Sequence, residues 1–416
     1  MDERRPINDC FALPPGVEWT PVDDALAALR ASIDPIAGQE VVSLSEAGGR
    51  VLAETSIATL NHPQADNAAV DGYAFAHADY LKAPLQIGVG RSAAGAPLGR
   101  ALARGEAVRI LTGAVLPDGA DTVMLDEDTR IESGVLHGPT GLRAGANRRR
   151  AGENVAVGAE VLPAGERLTP QALAQLAAAG LSHVSVYRRL RVGILSTGDE
   201  IYEPGQVPPL GAVTDANRPM LAGMLQAWGH EVVDLGIAPD DAGAVRAALD
   251  QDAETTDVII GSGGASAGDE DHMARLLGAE GTRAIWRIAM KPGRPLALGR
   301  WRGTPVFGLP GNPVAAFVCS LIFARPALAA MAGAGWSPPH VETRAAGFTK
   351  RRKAGRREYL RARLAEDGSV EVFANEGSGL IKGLIWADGL VDLPDGGPDV
   401  TLGDPVAYLP FASFGL

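Results

Sequence analysis

The chain has 416 residues, too many for one hydrophobic core, so roughly two to four domains are expected. It is 46% hydrophobic and 21% charged, ordinary for a globular protein, and its net charge of −12 excludes a general nucleic-acid-binding surface. Its two cysteines, Cys10 and Cys319, make neither a disulfide framework nor a zinc site, and the charged start "MDERRPINDC" has no apolar signal core, so a cytoplasmic location is expected.

In chain order, "TPVDDALAALRASI" (20–33) predicts a helix with Thr20 as N-cap, Pro21 in the first turn and Val22, Leu26 and Leu29 on one face. From about 57 to 165 the segments are short and β-like, broken by Gly, Pro, Asn and Asp, which predicts an all-β insertion. "TPQALAQLAAAG" (169–180) carries a Thr cap, a Pro at the first helical position and a closing Gly180. Near Tyr187 strands and helices begin to alternate. "RVGILSTGDE" reads as strand and loop, and "NRPMLAGMLQAWG" as a helix with Asn217 as candidate cap and Gly229 as terminator. Further strand–helix pairs follow, which predicts a mostly parallel sheet covered on both faces. The apolar helix 313–331 is too short in its most apolar part to span a bilayer and is expected in the core. After about 338 short strands return, with a hairpin at Asp367-Gly368 and a small β-barrel or sandwich expected.

Ligands of open α/β sheets bind beyond the carboxyl ends of the strands. Here the polar loops at 196–200, 236–241, 261–271, 290–295 and 308–313 are expected to gather on one edge. "GLPGNP" pairs a tight-turning Gly311 with a cap-forming Asn312 and Pro313, so the next helix would aim N–H groups at an anion. As readily, it is a plain helix cap. "STGDE" offers hydroxyls and N–H groups and then two acids, and taken alone is more readily read as a turn with solvated carboxylates. "GSGGASAGDED" matches neither a dinucleotide nor a Walker fingerprint. Its acids Asp269, Glu270 and Asp271 fall at a helix start, where they complement the dipole, and a divalent cation between carboxylates and phosphate would explain the surplus. Lys291 and Arg294 of "MKPGRP" suit a tetrahedral anion. "DNAAVDGYAF" (66–75) reads locally as a β-turn at Asp71-Gly72, and the basic runs "RRRAGEN" (148–154) and "KRRKAGRRE" (350–358) as solvated surface.

Taken together, "DNAAVDGYAF", "RILTGAVLPDGADTVM", "RRRAGENV", "LSTGDE", "DANRPML", "GSGGASAGDED", "KPGRP" and "GLPGNPV", in this order, resemble the MoeA family of molybdopterin molybdenumtransferases, related to the gephyrin E domain. The resemblance runs from about residue 17 to the C-terminus. It implies a multidomain α/β plus β fold: a discontinuous N-terminal domain (1–56 and 159–188), a β insertion domain (57–158), a three-layer α/β domain with a mostly parallel, MogA-like sheet (189–336) and a small C-terminal β-barrel (337–416).

The implied reaction is Mg²⁺-dependent insertion of molybdate into adenylylated molybdopterin with release of AMP, in a homodimer whose active cleft lies between subunits. A MogA-type adenylyltransferase and a molybdoenzyme or chaperone are the implied partners. Transferred position by position, Asp71, Thr112, Glu200, Asp240, Asp271, Lys291, Ser378 and Arg361 are functional. Glu200, Asp240 and Asp271 would hold the magnesium. Phosphates and pterin would lie over Ser196, Thr197, Gly198, Asp199, Asn217, Ser262, Gly263, Gly264, Ser266, Gly268, Pro310, Gly311 and Asn312, with Lys291, Arg294, Arg361 and Ser378 on molybdate. The chain departs from the family pattern at Asn154, usually an acid, and at Arg294, usually lysine. The alternatives are a molybdopterin adenylyltransferase and a non-catalytic cofactor-binding paralogue.

Overall fold

The computed structural model describes residues 19–263, 272–285 (283–285 by backbone only), 287–293 and 296–416. The chain divides into two compact units, one of residues 39–186 and one of residues up to 38 together with 187–416.

The first unit is built on a six-stranded sheet in the order Thr122–Leu125, Gly72–Phe75, Glu106–Ile110, Leu85–Ser92, Val135–His137, Arg130–Glu132. Gly72–Phe75 is buried along its whole length because both faces of the sheet are covered. Its side chains alternate: Tyr73 and Phe75 pack with Leu85, Met124 and Leu136, and Ala74 with Val108, Ile110 and Val123. Gly72 is not a turn residue. It opens the strand, and a Cβ there would lie 1.8 Å from the Met124 carbonyl oxygen, so only glycine permits the approach of the neighbouring strand. Beyond the sheet, Thr169 Oγ1 caps the helix Pro170–Ala178 by accepting from the Ala172 N–H at 3.2 Å, and Gly180 ends it at φ +87°.

The second unit holds the α/β part. Its strands are β1 (Arg191–Thr197), β2 (Glu231–Ala238), β3 (Val258–Ser262), β4 (Thr282–Ile285), β5 (Ala297–Trp301) and β6 (Thr304–Leu309), in the sheet order β2-β1-β3-β6-β5-β4. The first four in that order are parallel, whereas β5 runs antiparallel to both its neighbours. The sheet is thus mixed at one side. Helices α1 (Asn217–Ala227), α2 (Ala242–Thr255) and α3 (His272–Ala279) and the long segment Pro313–Met331 cover it. Val258 and Ile260 face α1, 313–331 and the helix Val22–Ala31, while Ile259 between them faces α2 and α3. Both faces are therefore apolar, as parallel strands require.

Two helices differ from expectation, one at its start and one within its length. Val22–Ala31 begins after Pro21, and Thr20 makes no side-chain cap; its backbone instead pairs with the 287–289 segment. The segment 313–331 is two α-helices, Pro313–Cys319 and Arg325–Met331, joined by a π turn at Ser320–Ala324, directly before Pro326, which has no N–H to donate. It is long and apolar enough to cross a membrane, but 83% of its most apolar window is buried inside the unit, where it serves as core.

At the C-terminal end the strands Arg357–Leu364, Gly389–Leu393, Pro405–Pro410 and Glu342–Ala345 follow one another across a sheet, and Val370–Val372 pairs with the first of them. A bridge between Ala346 and Val370 joins the two ends, so the strands close into a small barrel around Leu360, Ala362, Val391 and Tyr408. The Asp367-Gly368 hairpin is present, with Gly368 at φ +81° and Asp367 Oδ1 accepting from the Ser369 N–H. The pair Met290–Lys291 adds to this barrel sheet beside Arg357 and Glu358.

Candidate functional site

The loops after β1, β3 and β6 leave the same edge of the sheet because these strands are parallel. The strand after "MKPGRP" differs from expectation. β5 is antiparallel to its neighbours, and Ala297 at its start lies opposite Gly308 near the end of β6.

Asn217 ties the edge together. Its Nδ2 donates to Ser262 Oγ at the end of β3 and to the Gly311 carbonyl after β6, both at 2.7 Å. It does not cap α1. Asp215 does that work, since its Oδ1 accepts the N–H groups of Asn217 and Arg218 at 3.1 Å, while its Oδ2 accepts from Ser196 Oγ at 2.6 Å. Asp215 was not singled out in the sequence because Asn217 matched the cap pattern equally well two residues later.

Gly263 stands at φ +96°, and a Cβ there would lie 2.4 Å from the Thr197 carbonyl oxygen. The 197 and 263 backbones meet only because residue 263 is glycine. Gly311 is next to them, its would-be Cβ 3.7 Å from Gly263 Cα. Among the described residues, Thr197 Oγ1 and Asn217 Oδ1 are buried at this junction without a hydrogen-bond partner. Buried polar atoms are nearly always paired, so these two oxygens stand out as hydrogen-bonding capacity left over at the junction.

The acids form a looser group. Asp199 Oδ1 accepts the Asp240 N–H at 3.0 Å, and Asp240 Oδ1 lies 3.3 Å from His272 Nε2. Arg275 donates to His272 Nδ1 at 2.9 Å, and since a guanidinium only donates, the ring proton is on Nε2, facing Asp240. Glu200 is exposed beside them, its carboxylate folded back over Gly198. No group of three His, Cys, Asp or Glu that could hold a metal occurs among the described residues. Gly264, Ser266, Gly268, Asp269, Glu270, Asp271 and Arg294 lie outside those residues.

A second cluster lies where the barrel meets the 310–314 loop. The Val314 N–H donates to the Ser378 carbonyl at 3.0 Å, so this first-turn donor of the helix is taken by the chain itself rather than aimed at an anion. Pro310 and Asn312 belong to the same turn; Asn312 is the N-cap by position but makes no side-chain cap bond. Arg361, only 5% exposed, donates to the carbonyls of Leu380 (2.7 Å), Gly377 (3.1 Å) and Asn375 and lies 4.9 Å from the Phe373 ring centre. It therefore shapes the 375–380 loop instead of extending a free fork toward a ligand.

Lys291 Nζ meets Glu376 Oε2, and Lys350 Nζ meets the other oxygen of the same carboxylate. Lys350 also lies 3.1 Å from Glu358 Oε2, whose Oε1 accepts from Arg356 Nε at 3.1 Å. Burial works to raise the Glu376 pKa, but the two lysines override it and bring it down to about 2. The run "KRRKAGRRE" is thus not the solvated surface its composition suggests: Arg356 and Glu358 are buried, and Arg357 pairs with Asp392 and Asp23 at 2.6 Å. The signal for this was Glu358, an acid closing a basic run at the start of a strand.

In the unit of residues 39–186, Thr112 donates to Asp71 Oδ1 from both its N–H and its hydroxyl, each at 2.6 Å. The register explains the meeting. Gly72 lies opposite Ile110 in antiparallel strands, so the residues just beyond each end come together. The hydrogen bonds from Thr112 hold the Asp71 carboxyl below its ordinary pKa. In the same unit, Asn154 Nδ2 donates to Gln175 Oε1 at 3.2 Å, and the nearby run at 148–150 is engaged in part, Arg148 lying 3.5 Å from Asp66.

Models of three protein regions match the chain: the MoeA N-terminal region (domain I and II) over residues 20–180, a probable molybdopterin binding domain over 193–330, and the MoeA C-terminal region (domain IV) over 345–411. The chain belongs to the MoeA family. A molybdopterin molybdenumtransferase of Haemophilus influenzae is 36% identical over 380 residues, covering 89% of this chain and 94% of the relative. One of a Nostoc species is 34% identical over 386 residues, covering 89% of this chain and 88% of the relative. A crystal structure of the molybdopterin biosynthesis MoeA protein from Pyrococcus horikoshii superimposes with a TM-score of 0.80 at 30% identity, covering 95% of this chain and 99% of that one. In a MoeA protein, the junction of residues 197, 217, 263 and 311 falls inside the stretch matched by the molybdopterin-binding model.

Proposed function

We propose that this chain is a molybdopterin molybdenumtransferase, acting in molybdenum cofactor biosynthesis by inserting molybdate into adenylylated molybdopterin with release of AMP. The observation that carries this reading is the junction at the sheet edge, where Thr197 Oγ1 and Asn217 Oδ1 are buried without partners among the described residues. It sits in a member of a family whose relatives in Haemophilus influenzae and a Nostoc species are named molybdopterin molybdenumtransferases.

The chain's own residues supply binding and charge. Ser196, Thr197, Asn217, Ser262 and Gly311 line the edge where a phosphate or pterin amide would find donors and acceptors, and Gly263 and Gly311 allow backbone approach. Lys291, with Ser378 on the adjoining loop, offers a cationic place for molybdate, a tetrahedral dianion. The donors proposed for magnesium, Glu200, Asp240 and Asp271, are all carboxylates. This fits a hard divalent cation, and Asp240 keeps an oxygen that is not directed at His272. Magnesium, when bound, would neutralise charge on the phosphoanhydride. His272 positions the Asp240 carboxylate.

The reading extends to a homodimer in which the loop bearing Asp71 and Thr112 serves the other subunit, to the four-domain division at 57, 159, 189 and 337, and to a cytoplasmic location. A MogA-type adenylyltransferase would supply the substrate, and a molybdoenzyme or chaperone would take the product.

The test is AMP release by purified protein given adenylylated molybdopterin, molybdate and Mg²⁺. Among the acids after β3, Asp271→Asn is expected to abolish turnover, whereas Asp269→Asn and Glu270→Gln retain it. Equal loss in all three would remove the special role of Asp271.

A further inference from the structure

Among the described residues, two carboxylates hold the cations of the barrel cluster, and they differ in kind. Glu358 is borne on the strand Arg357–Leu364, its side chain is 3% exposed, and it takes Arg356 on one oxygen and Lys350 on the other. It is part of the frame. Glu376 comes from the irregular 375–380 loop, its side chain is 37% exposed, and it bridges the ammonium groups of Lys291 and Lys350. It can leave without disturbing a strand.

Both lysines are held in place by their own backbones. Lys291 pairs in register with Glu358 across parallel strands, and Lys350 exchanges backbone hydrogen bonds with Val400 at 2.9 Å. Their side chains are only 12% and 13% exposed. Two nearly buried ammonium groups therefore converge on one exposed carboxylate.

We propose that Lys350 is a second cationic ligand of the oxyanion substrate, and that Glu376 is a placeholder carboxylate which the dianion displaces. The inference rests on the transferase reading for the identity of that dianion. Charge supports it. Among the described residues, Lys291, Lys350, Arg356 and Arg361 lie about Glu358 and Glu376, so positive charge exceeds negative, and a doubly charged ligand in the place of Glu376 meets that excess better than a single carboxylate does. Protonation does not open the site, because Glu376 stays ionised down to about pH 2, its carboxyl drawn down by both lysines against the effect of burial. The placeholder also selects: a singly charged anion gains little over the carboxylate it replaces, whereas a tetrahedral dianion brings one more negative charge to the two lysines.

The experiment uses the full-length protein, with molybdate as the titrant in calorimetry and AMP release as the kinetic readout. Glu376→Gln removes the competing charge and keeps the shape. It is expected to tighten molybdate binding about three- to tenfold. Lys350→Met is expected to raise the KM for molybdate about tenfold or more, with the KM for adenylylated molybdopterin unchanged, and Lys350→Arg to restore most of the loss. A merely structural lysine would not split the two KM values in this way. Should Lys350→Met fail to fold, Glu376→Gln decides alone.

The inference is overturned if Lys350→Met leaves the molybdate KM unchanged while wild type turns over, or if Glu376→Gln weakens molybdate binding. Wild type that binds molybdate with this pattern but releases no AMP would sink the transferase reading and leave the binding site standing. Wild type that binds no tetrahedral dianion would overturn both.

Discussion

Asp71 Oδ1 takes both hydrogen bonds that Thr112 can give, from the backbone N–H and from the hydroxyl, each at 2.6 Å. The pair is made by the antiparallel register of the strands Gly72–Phe75 and Glu106–Ile110, which brings residues 41 apart in sequence together at an exposed point. Thr112 thus sets both the orientation and the ionisation of the Asp71 carboxylate.

Replacing Thr112 by Val removes the hydroxyl donor and keeps the N–H. The Asp71 carboxyl, which these bonds hold below its usual range, is then expected to rise toward that range. If Asp71 acts as an anion, the acid limb of the pH–rate profile moves to higher pH, and turnover at neutral pH falls by less than in Asp71→Asn. An unmoved acid limb would mean that Asp71 ionisation does not govern the reaction.

Gly263→Ala meets two obstacles at once, a left-handed φ of +96° and a Thr197 carbonyl 2.4 Å from the new Cβ. A cost of about 1–3 kcal/mol is expected, together with displacement of the loop that borders Thr197 and Gly311. A lowered melting temperature with loss of AMP release would fit. Wild-type stability and activity would show that the 197–263 approach is not needed.

Asp215→Ala removes the cap of α1 and strands Ser196 Oγ in the interior, while the Arg218 guanidinium keeps Glu203 and Asp234. Loss of about 1–3 kcal/mol is expected from the cap and the unpaired hydroxyl combined. Asp215→Asn, which keeps an acceptor for the N–H groups, is expected to lose less. The comparison is read from denaturant midpoints.

Asp252 on α2 is 4% exposed, and burial pushes its carboxyl up to about 6. The folded pKa is thus above the unfolded value, so the folded state binds the proton more tightly. No penalty exists below about pH 4; it grows as pH rises through about 6 and is full above that. Asp252→Asn is therefore expected to stabilise the protein at pH 7.5 by on the order of 2 kcal/mol and to have little effect at pH 4. Melting curves at the two pH values check the sign, and a destabilised variant at pH 7.5 would contradict it.

Much of the architecture was legible in the sequence because local signals agreed with the fold. Thr169, Pro170 and Gly180 punctuate a helix as written. The alternation of strands and helices after Tyr187 gave a sheet with both faces covered. What was not legible depends on tertiary partners. Thr20 has the chemistry of a cap but is drawn into pairing with 287–289. Asn217 has it too, but its amide bridges Ser262 and Gly311 while Asp215 does the capping. The antiparallel course of β5 has no local signature, since its residues would suit either direction.

The candidate site divides in the same way. Lys291, Arg361 and Ser378 do gather at one place, and Asp71 meets Thr112. Arg361, however, spends its donors on loop carbonyls. Lys350 and Glu376 became visible only in three dimensions, where a basic run and an irregular loop share one carboxylate. Spacing along the chain carries no trace of such a contact.

Magnesium dependence is checked by chelation. EDTA-treated protein is expected to lose AMP release and to regain it with Mg²⁺, and Asp240→Asn is expected to raise the Mg²⁺ concentration required. Full activity in excess chelator would remove the metal from the proposal.

The central claim is tested most directly by following AMP in single-turnover mixtures of the purified protein, adenylylated molybdopterin and Mg²⁺, with and without molybdate. The account predicts AMP release that depends on molybdate and matches the molybdenum taken up by the pterin. No AMP at saturating molybdate, or transfer of AMP from ATP to molybdopterin in its place, would contradict it.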